Sequence, residues 1–350
     1  MTDWHVKNNE LDLTITIIQV FLSGFGMPLF FLIAGMGTFY ALGFVKGELY
    51  AKDRIVRLVI PLLLGMVTHV SIQVYLERIS KEQFTGSFFE FYPQYFNGLY
   101  GFGGNFTWTG FHLWFLLLLF FFTIITLKPL IYLRKEDNLN EISKLVKYLN
   151  KPGRIYLLAI PLIFFELINP FNEHLQFGGW NLFSHLFFYL YGYVIASNKQ
   201  FKQSIEKNRN LGIIGGIISS FMLLFVMALF TNELLDSTVQ FSDFLFWSLR
   251  AINGWFLTIV ILGLISKHLN FNHKSRKFLN ELIMPFYVLH QTIIIIVGFY
   301  IVSLDLSIFV KYIIISSISF VIITGLVLII RRVNVLRFLF GMRLKKKKEG

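Results

Sequence analysis

Apolar runs alternate with short polar stretches along almost the whole chain. A helix needs about 20 apolar residues to cross the hydrocarbon of a bilayer. Nine segments meet or approach that length: 21–44, 55–75, 111–133, 154–169, 181–197, 211–230, 244–265, 282–302 and 307–330, the fourth and fifth being short. The pattern predicts an all-α integral membrane protein, a polytopic bundle of about nine transmembrane helices. Pro28, in the MPLFF stretch, falls inside the first span and is expected to kink or break it.

The polar stretches sort by charge. GELYAKDRIVR is basic, and the long glycine- and aromatic-rich loop at about 76–110 is nearly balanced. RKEDNLNEISKLVKYLNKPGR is basic, whereas NPFNEHLQFGGWN has neither lysine nor arginine. NKQFKQSIEKNR, KHLNFNHKSRK and the tail RRVNVLRFLFGMRLKKKKEG are basic, and TNELLDSTVQ and SLD between them are acidic. This unbroken alternation is the positive-inside pattern for nine helices. It sets the N-terminus outside the cell membrane and the C-terminus in the cytoplasm. The chain then divides into one membrane domain, 1–340, and a basic cytoplasmic tail, 341–350. MTDWHVKNNELDL has no basic n-region and is not a signal peptide.

Composition agrees. Of 350 residues 55% are apolar and 15% charged, and 41 are phenylalanine, too little charge to cover a soluble surface. The net charge of +12 is accounted for by cytoplasmic loops rather than by nucleic acid. The chain has no cysteine, which excludes disulfides, thiolate metal sites and thiol nucleophiles. No metal-binding spacing, phosphate loop or hydrolase elbow is present, GGNF at 103–106 lacking the lysine such a loop needs.

Several polar residues stand where apolar ones are expected. Arg54 and Arg57, three apart in DRIVR, share a helix face at the predicted cytoplasmic end of the second span. Guanidinium forks grip phosphates, so the pair suits a phosphorylated donor; equally, such a pair anchors a helix end at the headgroups. His112 opens the third span in FHLWFL, either as an acid or base or as part of an aromatic belt with Trp108 and Trp114. His290 and Gln291 lie well inside the eighth span, where an unpaired polar side chain is costly. They face a polar cavity or bind neighbouring helices. Gln73, Tyr75, Glu77 and Arg78 begin the long outer loop and mix aromatic with polar groups, as sugar-binding surfaces and membrane interfaces both do. His69 and Glu166 are further intramembrane polar residues.

MPLFFLIAG at 27–35, DRIVRLVIPLLLG at 53–65, QVYLERIS at 73–80, FHLWFL at 111–116 and MPFYVLHQTII at 284–294 stand in an order that resembles the acyltransferase-3 family of integral-membrane O-acyltransferases. The glucan-modifying branch, including glucan succinyl transferases, looks most similar. The resemblance runs through nearly the whole chain. It implies transfer of an acetyl or succinyl group from cytoplasmic acyl-coenzyme A, a donor substrate and not a resident cofactor. The acceptor would be a hydroxyl of an extracytoplasmic carbohydrate or related compound. Arg54 and Arg57 match the family's donor-contacting pair, and His112 and His290 match recurrent positions, which makes them the catalytic candidates. Tyr75, Glu77, Trp114 and Gln291 are expected to meet the acceptor. The expected partners are the bilayer, the acyl donor and the glycan.

There is one departure. The family usually has ten helices, the first carrying an arginine and a histidine regarded as the base. WHVKNNELDL resembles the loop after that helix, and His5 does not match the base. Two readings follow: an N-terminally truncated and inactive chain, or a natural variant using another base, His112 foremost. A transporter or exporter of small acyl or glycan compounds, with the same cavity and no covalent step, is the remaining alternative.

Overall fold

The computed structural model describes residues 6, 8, 12–171, 173–231, 239–269 and 273–345. His5, the acidic loop at 232–238 and the tail from 346 onward lie outside the described residues. In chain order the helices are α1 (Leu13–Ser23), α2 (Gly26–Ala41), α3 (Gly47–Arg54), α4 (Ile60–Val67), α5 (His69–Ser80), α6 (Phe88–Tyr95), α7 (Trp114–Leu133) and α8 (Glu136–Leu149). There follow α9 (Ala159–Glu166), the two-residue strands β1 (Gln176–Phe177) and β2 (Trp180–Asn181), α10 (Leu182–Ser197), α11 (Gln200–Thr231), α12 (Val239–His268), α13 (Ser275–Ile301), α14 (Ile308–Ile330) and α15 (Asn334–Leu339). The chain is thus an all-α, multi-pass membrane protein.

Among the described residues, seven stretches are long and apolar enough to cross a bilayer: Leu13–Ala41, Gly47–Ser80, Phe111–Leu133, Gln200–Leu229, Asp243–His268, Ser275–Ile301 and Ile308–Ile330. They coincide with seven of the nine expected spans. The other two fold as shorter helices. The 154–169 segment begins as a 3-10 turn at Arg154–Leu158 and continues for only eight residues as α9. The 16 residues of α10 reach about 24 Å, less than the roughly 30 Å of hydrocarbon. A second difference lies in the basic stretch after α7. It folds as the amphipathic helix α8, which buries Ile142, Val146 and Leu149 at helical spacing.

Two long spans are interrupted for legible reasons. The first breaks between α1 and α2, and Pro28 occupies the first turn of α2, where a backbone N–H has no intrahelical partner. In the second, Pro61 has no N–H to give the Arg57 carbonyl four residues back. Over Ile55–Val59 the helix widens to a π turn, with the Ile60 N–H bonding Ile55 O.

The chain forms two compact units. One comprises Thr14–Tyr50 and Phe122–Phe271. In it α2 and α10 touch backbone to backbone, Gly35 against Tyr189 and Gly192 against Leu32. Small residues at such crossings let helices approach where no hydrophobic drive separates lipid from protein. Its Thr38 hydroxyl is hydrogen-bonded to Tyr50 Oη at 2.8 Å and Tyr189 Oη at 2.9 Å. Glu166, fully buried, accepts from Asn169 Nδ2 at 2.8 Å and the Asn181 N–H at 2.9 Å, so it ties the β1–β2 hairpin to α9.

The other unit comprises Met1–Leu13, Ala51–Phe121 and Asn272–Gly350. There α13 packs on α5 and α14, α6 packs on α5, and α15 folds against α4. The residues singled out as catalytic, donor-binding and acceptor-binding all belong to it.

Candidate functional site

His112 owes its position to a sharp turn. Gly110 (φ +69°) and Phe111 (φ +46°) are left-handed, and a short 3-10 turn, Phe111–Leu113, then leads into α7. A side chain on Gly110 would stand 3.1–3.2 Å from Leu113, Leu62 and Met66, so the turn accepts only glycine without displacement. The turn aims the imidazole at α13. His112 Nε2 lies 3.1 Å from the Val288 carbonyl and Nδ1 lies 3.4 Å from Gln73 Nε2. A carbonyl only accepts, so Nε2 carries the proton and Nδ1 faces an amide donor.

His290 is the second member, its ring 5.2 Å from that of His112 and nearly perpendicular to it. Its Nδ1 donates to the Tyr287 carbonyl at 2.6 Å, which leaves the lone pair on Nε2. Tyr287 in turn gives its hydroxyl proton to the His112 carbonyl. One turn of α13 therefore holds both rings.

The support beneath them is polar and buried. Gln73 and Thr292 are at most 3% exposed. Gln73 Nε2 donates to Thr292 Oγ1 at 2.6 Å, and that hydroxyl donates to the His69 carbonyl at 3.3 Å. The Gln73 amide and the Thr292 hydroxyl are thus bonded to each other between α5 and α13, which lowers the cost of burying them in hydrocarbon. The two catalytic candidates of the sequence analysis, His112 and His290, come together. Gln291, half-buried, follows His290 on α13, and Trp114, also half-buried, begins α7 two residues after His112.

Two partners, Tyr287 and Thr292, were not singled out in the sequence. Their signal was nevertheless present: Tyr287 stands three residues before His290, one turn along the same face. On α5 His69 and Gln73 are four apart in an otherwise apolar stretch.

The outer-loop residues do something different from the histidines. Glu77 is fully buried, its carboxylate taking Lys81 Nζ at 2.7 Å and Tyr100 Oη at 2.9 and 3.0 Å. Arg78 donates to Asn105 Oδ1, Gln83 Oε1 and Gly104 O. Tyr75 bonds the Gly86 carbonyl at 2.9 Å, and its ring packs edge-on to Phe84 and Phe88. These side chains clamp the 82–106 loop onto α5.

Arg54 and Arg57 share one carboxylate. Asp53 Oδ2 lies 3.3 Å from Arg54 Nη2 and Oδ1 lies 2.7 Å from Arg57 Nε, with both guanidiniums about a quarter exposed. The common partner sets the two side by side, as their spacing predicted. One negative charge against two positive ones leaves the patch cationic. Among the described residues no three histidine or carboxylate groups converge as they would on a metal ion.

Comparison with known families gives one match. Residues 2–332 fit the family model Acyl_transf_3, described as an acyltransferase domain. No curated protein and no solved structure matches the chain.

Proposed function

The chain belongs to the acyltransferase-3 family and is a membrane acyltransferase in the general sense; from that premise we propose that it moves an acetyl or succinyl group from cytoplasmic acyl-coenzyme A to a hydroxyl of an extracytoplasmic carbohydrate. The observation that carries this reading is His290. Its Nδ1–H is fixed on the Tyr287 carbonyl, so its Nε2 is a lone pair held in one orientation. That is the requirement for a general base.

In this reading the acceptor hydroxyl gives its proton to His290 Nε2 as its oxygen attacks the thioester carbonyl. The tetrahedral intermediate collapses by breaking the carbon–sulfur bond, and the departing thiolate recovers a proton from the imidazolium. His112 holds His290 by ring contact and keeps Gln73 and Val288 in register. It is a positioning residue, and the sequence's preference for it as the substitute base passes to His290. Arg54 and Arg57 receive the donor's phosphates, each charge-assisted bond being stronger than a neutral one. Gln291 and Trp114 are the acceptor contacts nearest in sequence to the histidines. Tyr75 and Glu77 serve the acceptor by fixing the loop that covers it. The bilayer is the cell membrane, with the Arg54 end and the C-terminus on the cytoplasmic side.

The test is acyl-coenzyme A turnover by the purified full chain in lipid. His290→Gln is expected to lower kcat by roughly 10²–10⁴-fold with little change in KM for the donor. Arg54→Ala and Arg57→Ala are expected to raise that KM. A wild-type protein that moves substrate across vesicles but never cleaves the thioester would make it a transporter instead.

A further inference from the structure

The short helix α15 ends in a built turn. The Met342 N–H bonds the Arg337 carbonyl at 2.7 Å and the Gly341 N–H bonds Phe338 O at 3.1 Å. With Gly341 left-handed at φ +67°, this is a Schellman closure. The turn is seated on α4 and the π turn before it. Phe340 and Met342 are buried. A Cβ on Gly341 would come within 2.6 Å of the Arg57 carbonyl and 2.9 Å of Pro61 Cγ. That carbonyl is the one Pro61 cannot satisfy. Phe340 also stacks on the His69 ring at 5.7 Å, and the His69 carbonyl is where the histidine support ends.

The seat brings charge with it. Arg343, exposed, stands two residues beyond Gly341, so the turn that meets the Arg57 carbonyl carries its charge to the Arg57 end of the patch. Its guanidinium has no hydrogen bond or ion pair among the described residues, while its carbonyl takes Arg337 Nε at 2.6 Å. Arg337, 3% exposed, also bonds the Arg331 carbonyl at 3.1 Å and lies 3.7 Å from Glu281. Arg331 stands 3.6 Å from the same carboxylate. Five arginines thus follow one another around Asp53 and Glu281. These five cationic side chains outnumber the two carboxylates, and such a surplus suits a polyanion.

We infer that the C-terminal turn is a wall of the donor site, and that Arg343 is a third guanidinium for the phosphates of acyl-coenzyme A beside Arg54 and Arg57. This rests on the acyl-coenzyme A reading above. The turn is a positioning device: it places the charge without touching the reacting atoms, and it meets the histidine support through Phe340 and His69.

The experiment uses the purified full chain in lipid nanodiscs with two donors, acyl-coenzyme A and the matching acyl-pantetheine, which has no phosphate. Arg343→Ala is expected to raise KM for acyl-coenzyme A by about tenfold, one charge-assisted bond, and to leave acyl-pantetheine kinetics unchanged. Arg343→Lys should recover part of the loss. Gly341→Ala keeps the charge but displaces the turn, so it should reproduce the Arg343→Ala defect. Thermal unfolding of each variant identifies a chain that has merely lost its fold, and coenzyme A binding by calorimetry gives the same contrast without turnover. Equal KM values for wild type and Arg343→Ala, with Arg54→Ala and Arg57→Ala impaired, would overturn the role of the turn alone. So would a dependence on anionic lipid that changes while donor KM does not. No cleavage and no coenzyme A binding by the wild type would overturn the donor reading and this inference with it.

Discussion

A neutral imidazole has one donor and one acceptor nitrogen, so the partner of one fixes the duty of the other. At His112 both nitrogens are engaged; at His290 the carbonyl of Tyr287 claims Nδ1 and leaves Nε2. In the proposed mechanism that difference makes His290 the base, and no spacing in the sequence contained it. The same accounting applies below the rings. Thr292→Val leaves the buried Gln73 amide short of its acceptor and should destabilise the protein by about 1–3 kcal/mol. Gln73→Leu combined with Thr292→Val removes both partners and should recover most of that loss, since paired polar groups exchanged for apolar ones cost little. A double-mutant cycle by thermal unfolding in detergent checks it. Independent, additive effects would show that the two side chains are not coupled.

At the scale of elements, breaks decide as much as spans do. The π turn before Pro61 and the left-handed Gly110 place Arg57 and His112, and each is a local consequence of a residue legible in the sequence. The crossing of α2 and α10 is different, because Gly35 and Gly192 reveal their purpose only when the helices meet. Gly192→Val should separate the helices and lower the unfolding temperature, whereas the same change at Gly37, which meets nothing within 4 Å, should be mild. Outside the membrane, Ser87 and Glu90 form a capping box at the start of α6. Hydrogen bonds from the Ser87 backbone and side chain hold the Glu90 carboxyl below its ordinary value. A depressed carboxyl stabilises the folded form above its unfolded value and loses that contribution as pH falls through the folded one. Amide exchange in α6 should therefore quicken under acid, and Glu90→Gln should flatten the response. A pH-independent exchange rate in the wild type, after correction for intrinsic chemistry, would count against it.

For the whole molecule the strongest sequence signal is the alternation of basic and non-basic loops, which predicts that 46–54 and 343–345 share the cytoplasmic side and that 97–106 lies outside. The chain has no native cysteine, so single cysteines at Lys52, Lys345 and Asn97 can be labelled in intact cells with a reagent that does not cross the membrane. Only Asn97→Cys should react. Labelling of Lys52→Cys from outside would reverse the assignment and with it the cytoplasmic donor.

Sequence alone determined the solvent: hydrocarbon forces the chain into helices, and apolar run length is a one-dimensional property that survives without coordinates. It also determined the pairing of Arg54 with Arg57, because three residues on a helix is a local distance. Tertiary structure decided the rest. It shortened two expected spans and brought Gln73 and Thr292 together across 219 residues of chain. It used Glu77 and Arg78 to fasten a loop, and it folded the C-terminal turn onto Arg57. Each of these depends on which helix neighbours which, and helix adjacency is set by packing, which residue patterns along one strand of sequence do not encode.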